Sequence, residues 1–172
     1  MALSPAQYAA LKADILADPV LAAFPQNSDG AFEIAKAYNL PASPDFWVWR
    51  THLPQAEIVN TTTTEATVFS WTQFIARTVQ EQAGWREMFA DGGFVDASKA
   101  NVRQGFADIF SGAQAGPVAQ RAHLLTVGRV KATRIQKLFS TGTGSTASPA
   151  TSNGFGDGYQ ISFADVQAAR ES

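Results

Sequence analysis

The chain has 172 residues, 45% apolar and 11% aromatic, which suits one domain with an appendage and excludes a disordered polymer. It contains no cysteine, so disulfides, thiolate catalysis and Cys-ligated metals are excluded. Its net charge of −2 and pI near 5.6 argue against a dedicated nucleic-acid binder. The charge is uneven: residues 1–100 sum to −5, residues 101–172 to +3, and no acidic residue lies between Ile109 and Gly156.

The opening MALSPAQY lacks the basic and apolar regions of a signal peptide, and no apolar run approaches the roughly 20 residues that span a bilayer. Cytoplasmic synthesis and no membrane association are the expectation. Ser4-Pro5-Ala6-Gln7 predicts a capped helix start, with Tyr8, Leu11 and Ile15 on one face and a stop at Asp18-Pro19. Ser28 or Asp29 opens a second helix, with Phe32, Ala35 and Tyr38 inward and Leu40-Pro41 as its end. Pro41 and Pro44 favour turn or extended geometry before an aromatic segment, Phe46-Trp47-Val48-Trp49, that reads as core or as a partner platform. Pro54 starts a short helix through Ile58, and Thr61–Thr64 reads as a loop.

Trp71, Phe74, Ile75, Val79, Trp85, Met88 and Phe89 recur at three- and four-residue spacing. They predict one helix from about Ala66 to Ala90, inward on that face and bent near Gly84. Asp91-Gly92-Gly93 ends it. A further helix is capped near Asp96 or Ser98, places Val102, Phe106, Ile109 and Phe110 inward, and stops at Gly112. The last long helix is predicted from Pro117 to Phe139, with Arg129, Lys131, Arg134 and Lys137 on a basic face.

Residues 140–158, STGTGSTASPATSNGFGDG, have too little apolar surface to offset their ordering entropy and read as an arm or linker. Tyr159 to Phe163 alternate like a short strand, and Asp165 to Arg170 can close with a helical turn. The predicted fold class is therefore mainly α: a helical bundle over 1–139, and an extended C-terminal arm over 140–172 containing a short β segment. Candidate interface residues are Arg129, Lys131, Arg134 and Lys137 on the basic helix, and Phe155, Tyr159, Ile161 and Phe163 on the arm.

Chemistry is hard to find. His52 and His123 stand far apart without metal-ligand spacing and read as solvent-facing or hydrogen-bonded. No GxSxG elbow supports a serine nucleophile, and Gly142-Thr143-Gly144 follows a helix where a phosphate loop would open one. No enzyme activity, catalytic residue, cofactor or metal is expected. The basic helix admits three readings: a solvated face with acidic partners elsewhere in the fold, contact with an acidic protein, or contact with nucleic-acid phosphates.

LSPAQYAALKADI, ASPDFWVWRT, NVRQGFADIF and KLFSTGTGSTASPAT…ISFADVQAA together resemble a family of small proteins from the virion-structural modules of tailed bacteriophages and prophages. The similarity runs from Ala2 to Ala169. The resemblance implies a structural component of the virion, made in the bacterial cytoplasm. The best placement is a head-to-tail connector, or adaptor, beneath the portal. Such adaptors are helical bundles with extended C-terminal arms that form rings, often of twelve copies. Portal and tail or nozzle proteins are then the partners, with DNA passing through the channel. Tail completion, capsid decoration and fibre attachment are alternative stations, and a nucleic-acid-associated factor using helix 117–139 is the remaining alternative.

Overall fold

A computed structural model describes residues 3–60 and 67–172. The expected loop at Thr61–Thr64 lies outside the described residues, as does the expected helix start at Ala66. In chain order the helices are α1 (Pro5–Ala17), α2 (Pro19–Ala22), α3 (Ser28–Asn39), α4 (Gln55–Val59), α5 (Trp71–Ile75), α6 (Val79–Met88), α7 (Ala100–Ile109), α8 (Ala115–Val127), α9 (Arg134–Leu138) and α10 (Phe163–Glu171). The strands are β1 (Trp47–Trp49), β2 (Leu53–Pro54), β3 (Phe94–Val95), β4 (Arg129–Lys131), β5 (Ser140–Thr141) and β6 (Thr151–Ser152). The protein is about half helical, mainly α with some β. The strands pair β1 with β4, β2 with β3 and β5 with β6. In the second pair Leu53 stands antiparallel to Val95 and Pro54 to Phe94. No helix among the described residues is long and apolar enough to cross a membrane.

The contacts divide the chain into two compact units, and the division does not fall at residue 139. Unit 1 combines residues 1–46, 131–141 and 152–172; unit 2 combines 47–130 and 142–151. The first expectations hold at the residue level. Ser4 and Gln7 form the capping box of α1, with Pro5 at its first position, and Leu11 and Ile15 are buried. Asp18 closes α1 and then caps α2 through the amides of Val20 and Leu21. In α3 Ala35 and Tyr38 are buried, but the inward face is completed by Gly30, Ala31 and Ile34, while Phe32 is exposed. Gly30 is required there by close approach: a Cβ would lie 2.1 Å from the Pro25 carbonyl oxygen.

The expected C-terminal arm is part of the folded body. Phe155, Ile161, Val166 and Ala169 are buried in one core with Leu11, Ile15 and Ile34 of α1 and α3. Helix α10 packs against both of those helices. Full burial of Phe155, Ile161 and Val166 contributes roughly 1.5–3 kcal/mol each. The sequence between Tyr159 and Phe163 forms no strand ladder. Instead Asn39 plays the part of a neighbouring strand: its amide donates to the Ile161 carbonyl at 3.0 Å and its carbonyl accepts from the Ile161 N–H at 2.9 Å. Arg170 adds two bonds of 2.8 Å to the carbonyls of Phe24 and Pro25.

The Gly/Ser/Thr stretch between β5 and β6 is held by backbone hydrogen bonds, which its poverty in apolar side chains does not forbid. Trp47 N–H donates to Gly144 at 2.8 Å, Ala150 N–H to Trp47 at 2.9 Å, and Trp49 N–H to Ala150 at 2.9 Å. Gly142 turns the chain with φ near +124°, a conformation that disfavours any side chain.

Two long predicted helices are broken. The one predicted over 66–90 is interrupted between α5 and α6, where Thr78 and Glu81 form a capping box that starts α6. Gly84 lies inside α6, so the break is at residues 76–78 and not at the glycine. The helix predicted over 117–139 ends at Val127, turns into β4, and restarts as α9 behind a Thr133–Gln136 capping box.

Candidate functional site

The break between α8 and α9 dismantles the expected basic face. Arg129 and Lys131 stand on strand β4, while Arg134 and Lys137 stand on α9. Arg129 lies 5.1 Å from the Trp47 ring centroid and donates to the Thr146 carbonyl. Lys131 pairs with Asp45 at 2.7 Å, both side chains being more than half exposed. Lys137 lies over the Phe46 ring at 5.7 Å. The reading with acidic partners elsewhere in the fold therefore describes Lys131 and Arg134, and the continuous helical surface invoked for nucleic acid is not formed.

Arg134 is the centre of a polar cluster in unit 1. It sits in the first turn of α9, and its two Nη groups reach back to the end of α1: Nη1 to Asp18 Oδ2 at 2.8 Å and Nη2 to Asp14 Oδ2 at 3.0 Å. Its guanidinium also lies 4.7 Å from the Tyr38 ring centroid, and the Tyr38 hydroxyl donates to Asp14 Oδ2 at 2.5 Å. Arg134, Asp14 and Asp18 border a cleft of about 600 Å³ whose wall includes Leu40, Pro41, Lys137 and Leu138.

The electrostatics follow from that geometry. The hydrogen bond from Arg134 holds Asp18 below the usual carboxylate range, against a smaller opposing effect of partial burial; the Leu21 and Val20 amides add to the lowering. Burial works against the charge of Arg134, but its bonds to Asp18 and Asp14 outweigh that and raise its pKa. Tyr38 is raised far above an ordinary phenol, first by burial and then by its bond to Asp14. The cluster thus clamps α1, α3 and α9 together. Its carboxylates already accept from Arg134, Tyr38 and backbone amides, which suits fastening better than proton transfer. Among the described residues no group of three or more His, Asp or Glu is placed to hold a metal ion.

The four candidates on the expected arm separate. Phe155 and Ile161 are core residues, which removes them from an exposed interface. Phe155 stacks on Phe139 with ring centroids 4.9 Å apart and meets Tyr159 edge-on at 4.5 Å. Tyr159 is half-buried, and burial followed by the nearby Asp165 charge raises its pKa. Phe163 remains exposed. The histidines are both engaged in unit 2. His123 is fully buried, with Nδ1 3.0 Å from Thr67 Oγ1 and Nε2 2.9 Å from the Ile58 carbonyl. His52 packs on Phe94 with centroids 3.9 Å apart.

Two features of unit 2 were not anticipated. Trp71, Ile75 and Val79, expected inward, are 54%, 67% and 78% exposed, and Val68 beside them is 43% exposed. The break after Ile75 changes the helical phase, so α6 buries Trp85 while α5 turns Trp71 and Ile75 outward around a buried Phe74. The second feature is a small apolar cleft bordered by Arg103 and Arg121. The signal for it in the sequence is Arg121, which at 100° per residue falls on the same side of α8 as Leu124 and Leu125. No protein-family model matches the chain, and no curated protein or solved structure matches it either.

Proposed function

We propose that this chain is a structural, non-catalytic component of a tailed-phage particle, most simply a head-to-tail connector that joins a ring beneath the portal. The reading rests on the resemblance that runs from Ala2 to Ala169. The observation that carries it physically is the exposure of Val68, Trp71, Ile75 and Val79 within one short stretch of chain, with Trp71 and Ile75 one turn apart on α5, because large apolar side chains left in water together favour cover by another molecule. This surface replaces the C-terminal arm as the proposed contact. In this reading the partners are further copies of the chain, the portal and tail proteins, and the protein resides in the virion.

Light scattering of the purified protein, alone and mixed with the portal and tail proteins of the same phage, tests the proposal. Ring-sized particles or a stable complex are expected, and Trp71→Ser with Ile75→Ser should abolish them while leaving the fold intact. A protein that stays monomeric and binds neither partner would overturn the reading. A metabolic operon around the gene, without portal or capsid neighbours, would count against it equally.

A further inference from the structure

The apolar cleft of unit 2 has a volume of about 170 Å³ and is walled by Trp49, Leu53, Phe106, Leu124 and Leu125. An apolar cavity of about 150 Å³ accepts a benzene-sized group, whereas sites for whole small molecules run to about 300–1,000 Å³. The cleft therefore fits one aromatic or branched aliphatic side chain, and it opens to solvent so that the rest of the guest can stay outside.

Two guanidiniums border it. Arg103 Nη1 donates to the carbonyls of Ala97 and Ser98, both at 2.7 Å, and its Cζ lies 4.6 Å from the Trp49 ring centroid. Arg121 Nη1 donates to the carbonyls of Phe110 and Gly112, the latter at 3.0 Å. These bonds hold both groups in place through one nitrogen each and leave other N–H donors of each five-donor fork available. Among the described residues neither arginine makes an ion pair. The nearest acidic influence on Arg103 is Asp96, whose carboxylate is engaged by Ser98 and Lys99. Two guanidiniums held in place beside an apolar cleft, with no ion-pair partner among the described residues, are complementary to an apolar group carrying negative charge at its edge.

We propose that this cleft receives a peptide segment of a partner protein, inserting one large apolar side chain and presenting an adjacent Asp or Glu to Arg103 and Arg121. The peptide as occupant rests on the assembly reading above. The two fail separately: the Trp71→Ser/Ile75→Ser variant removes the proposed assembly surface but keeps the cleft, so the titration below can be run on it as well as on the unaltered chain.

The test titrates the protein with Ac-Gly-Glu-Phe-Glu-Gly-NH2 while following the Trp49 indole and the Leu124 and Leu125 methyl signals by NMR. Saturable shifts confined to these residues are expected. The Gln-for-Glu twin of the peptide should bind about tenfold more weakly, corresponding to about 1.4 kcal/mol, and 0.5 M salt should reduce that difference. Ala107→Leu, which narrows the cleft without touching charge, should abolish the shifts. Arg121→Gln should erase much of the preference for the acidic peptide, with retained protein structure checked by the dispersion of the same spectra. No saturable shift at millimolar peptide, or equal binding of the two peptides, would overturn the proposal. Tighter binding of 3-phenylpropionate than of the acidic peptide would overturn it too, by making this a small-molecule site.

Discussion

The two units solve the same packing problem with different materials. The core of unit 1 is mostly aliphatic, built on Leu11, Ile15, Ile34, Ile135, Ile161 and Val166. That of unit 2 is aromatic, with Trp85 in contact with Phe69, Phe74, Phe89, Phe106 and Phe110. Connectivity differs as well. Unit 2 draws its helices from one continuous segment, whereas unit 1 must bring together three segments, the last of them the C-terminal one. Unit 1 therefore depends on pairings across almost the whole chain, which are the entropically costly ones to form. The units are also spectroscopically separate: all four tryptophans, at 47, 49, 71 and 85, lie in unit 2, and all three tyrosines, at 8, 38 and 159, lie in unit 1.

The largest expected effect uses that contrast. Deleting residues 160–172 removes Ile161, Val166 and Ala169 and uncovers the inner faces of α1 and α3. Unit 1 should lose its cooperative structure, seen as collapse of tyrosine ring NMR dispersion, while tryptophan emission from unit 2 stays folded-like. A detachable arm could be cut without that collapse, so retention of the tyrosine spectrum would overturn the packing described here. Next in size is Trp85→Ala, which empties the centre of unit 2 and should cost about 3–5 kcal/mol in that unit's unfolding free energy. Urea titration followed by tryptophan emission measures it, and the tyrosine transition should move far less.

Asn39→Ala sharpens the comparison more finely. It leaves the apolar core of unit 1 intact but removes both side-chain bonds to the Ile161 backbone. Leaving those backbone groups without their partners should cost about 1–3 kcal/mol. The tyrosine-detected urea midpoint is the readout, and an unchanged midpoint would mean that apolar burial alone holds the segment.

Much of the fold was readable where a local signal and the tertiary structure agree. The Ser4-Pro5-Gln7 start, the Asp18-Pro19 stop and the inward Leu11 and Ile15 are examples. The two broken helices share a cause: apolar periodicity runs on through positions where capping chemistry overrides it. Thr78-x-x-Glu81 and Thr133-x-x-Gln136 are both capping boxes, visible in the sequence once sought, and each splits a predicted helix. The C-terminal segment misled for another reason. Its average composition is poor in apolar groups, but Phe155, Ile161, Val166 and Ala169 fall where the folded chain needs them, and backbone bonds to Trp47 and Trp49 order the stretch before them. Neither the bond from Asn39 nor the acidic partners of Arg134 could be read from spacing, because they join positions more than a hundred residues apart.

The smallest expected effect concerns acid stability, and again it separates the units. The Arg134 hydrogen bond depresses the folded-state pKa of Asp18, so near and below the ordinary carboxylate pKa of about 4 the unfolded chain binds more protons than the folded one. The stabilisation is thus fully present above that value and is lost as pH falls through the depressed folded pKa. Unit 2 has a counterpart of the same sign, since Arg50 lowers Glu57 in the same way, but that pair joins residues only seven apart and Glu57 is half exposed. The Arg134 link ties α1 to α9 and shares its guanidinium between two carboxylates, so it should carry the larger acid dependence. Arg134→Gln should flatten the fall of the tyrosine-detected urea midpoint between about pH 5 and pH 3, and Arg50→Gln should do less to the tryptophan-detected one. Equal flattening by the two variants would mean that solvent screening levels both links, leaving apolar burial as the main reason the distant segments of unit 1 stay together.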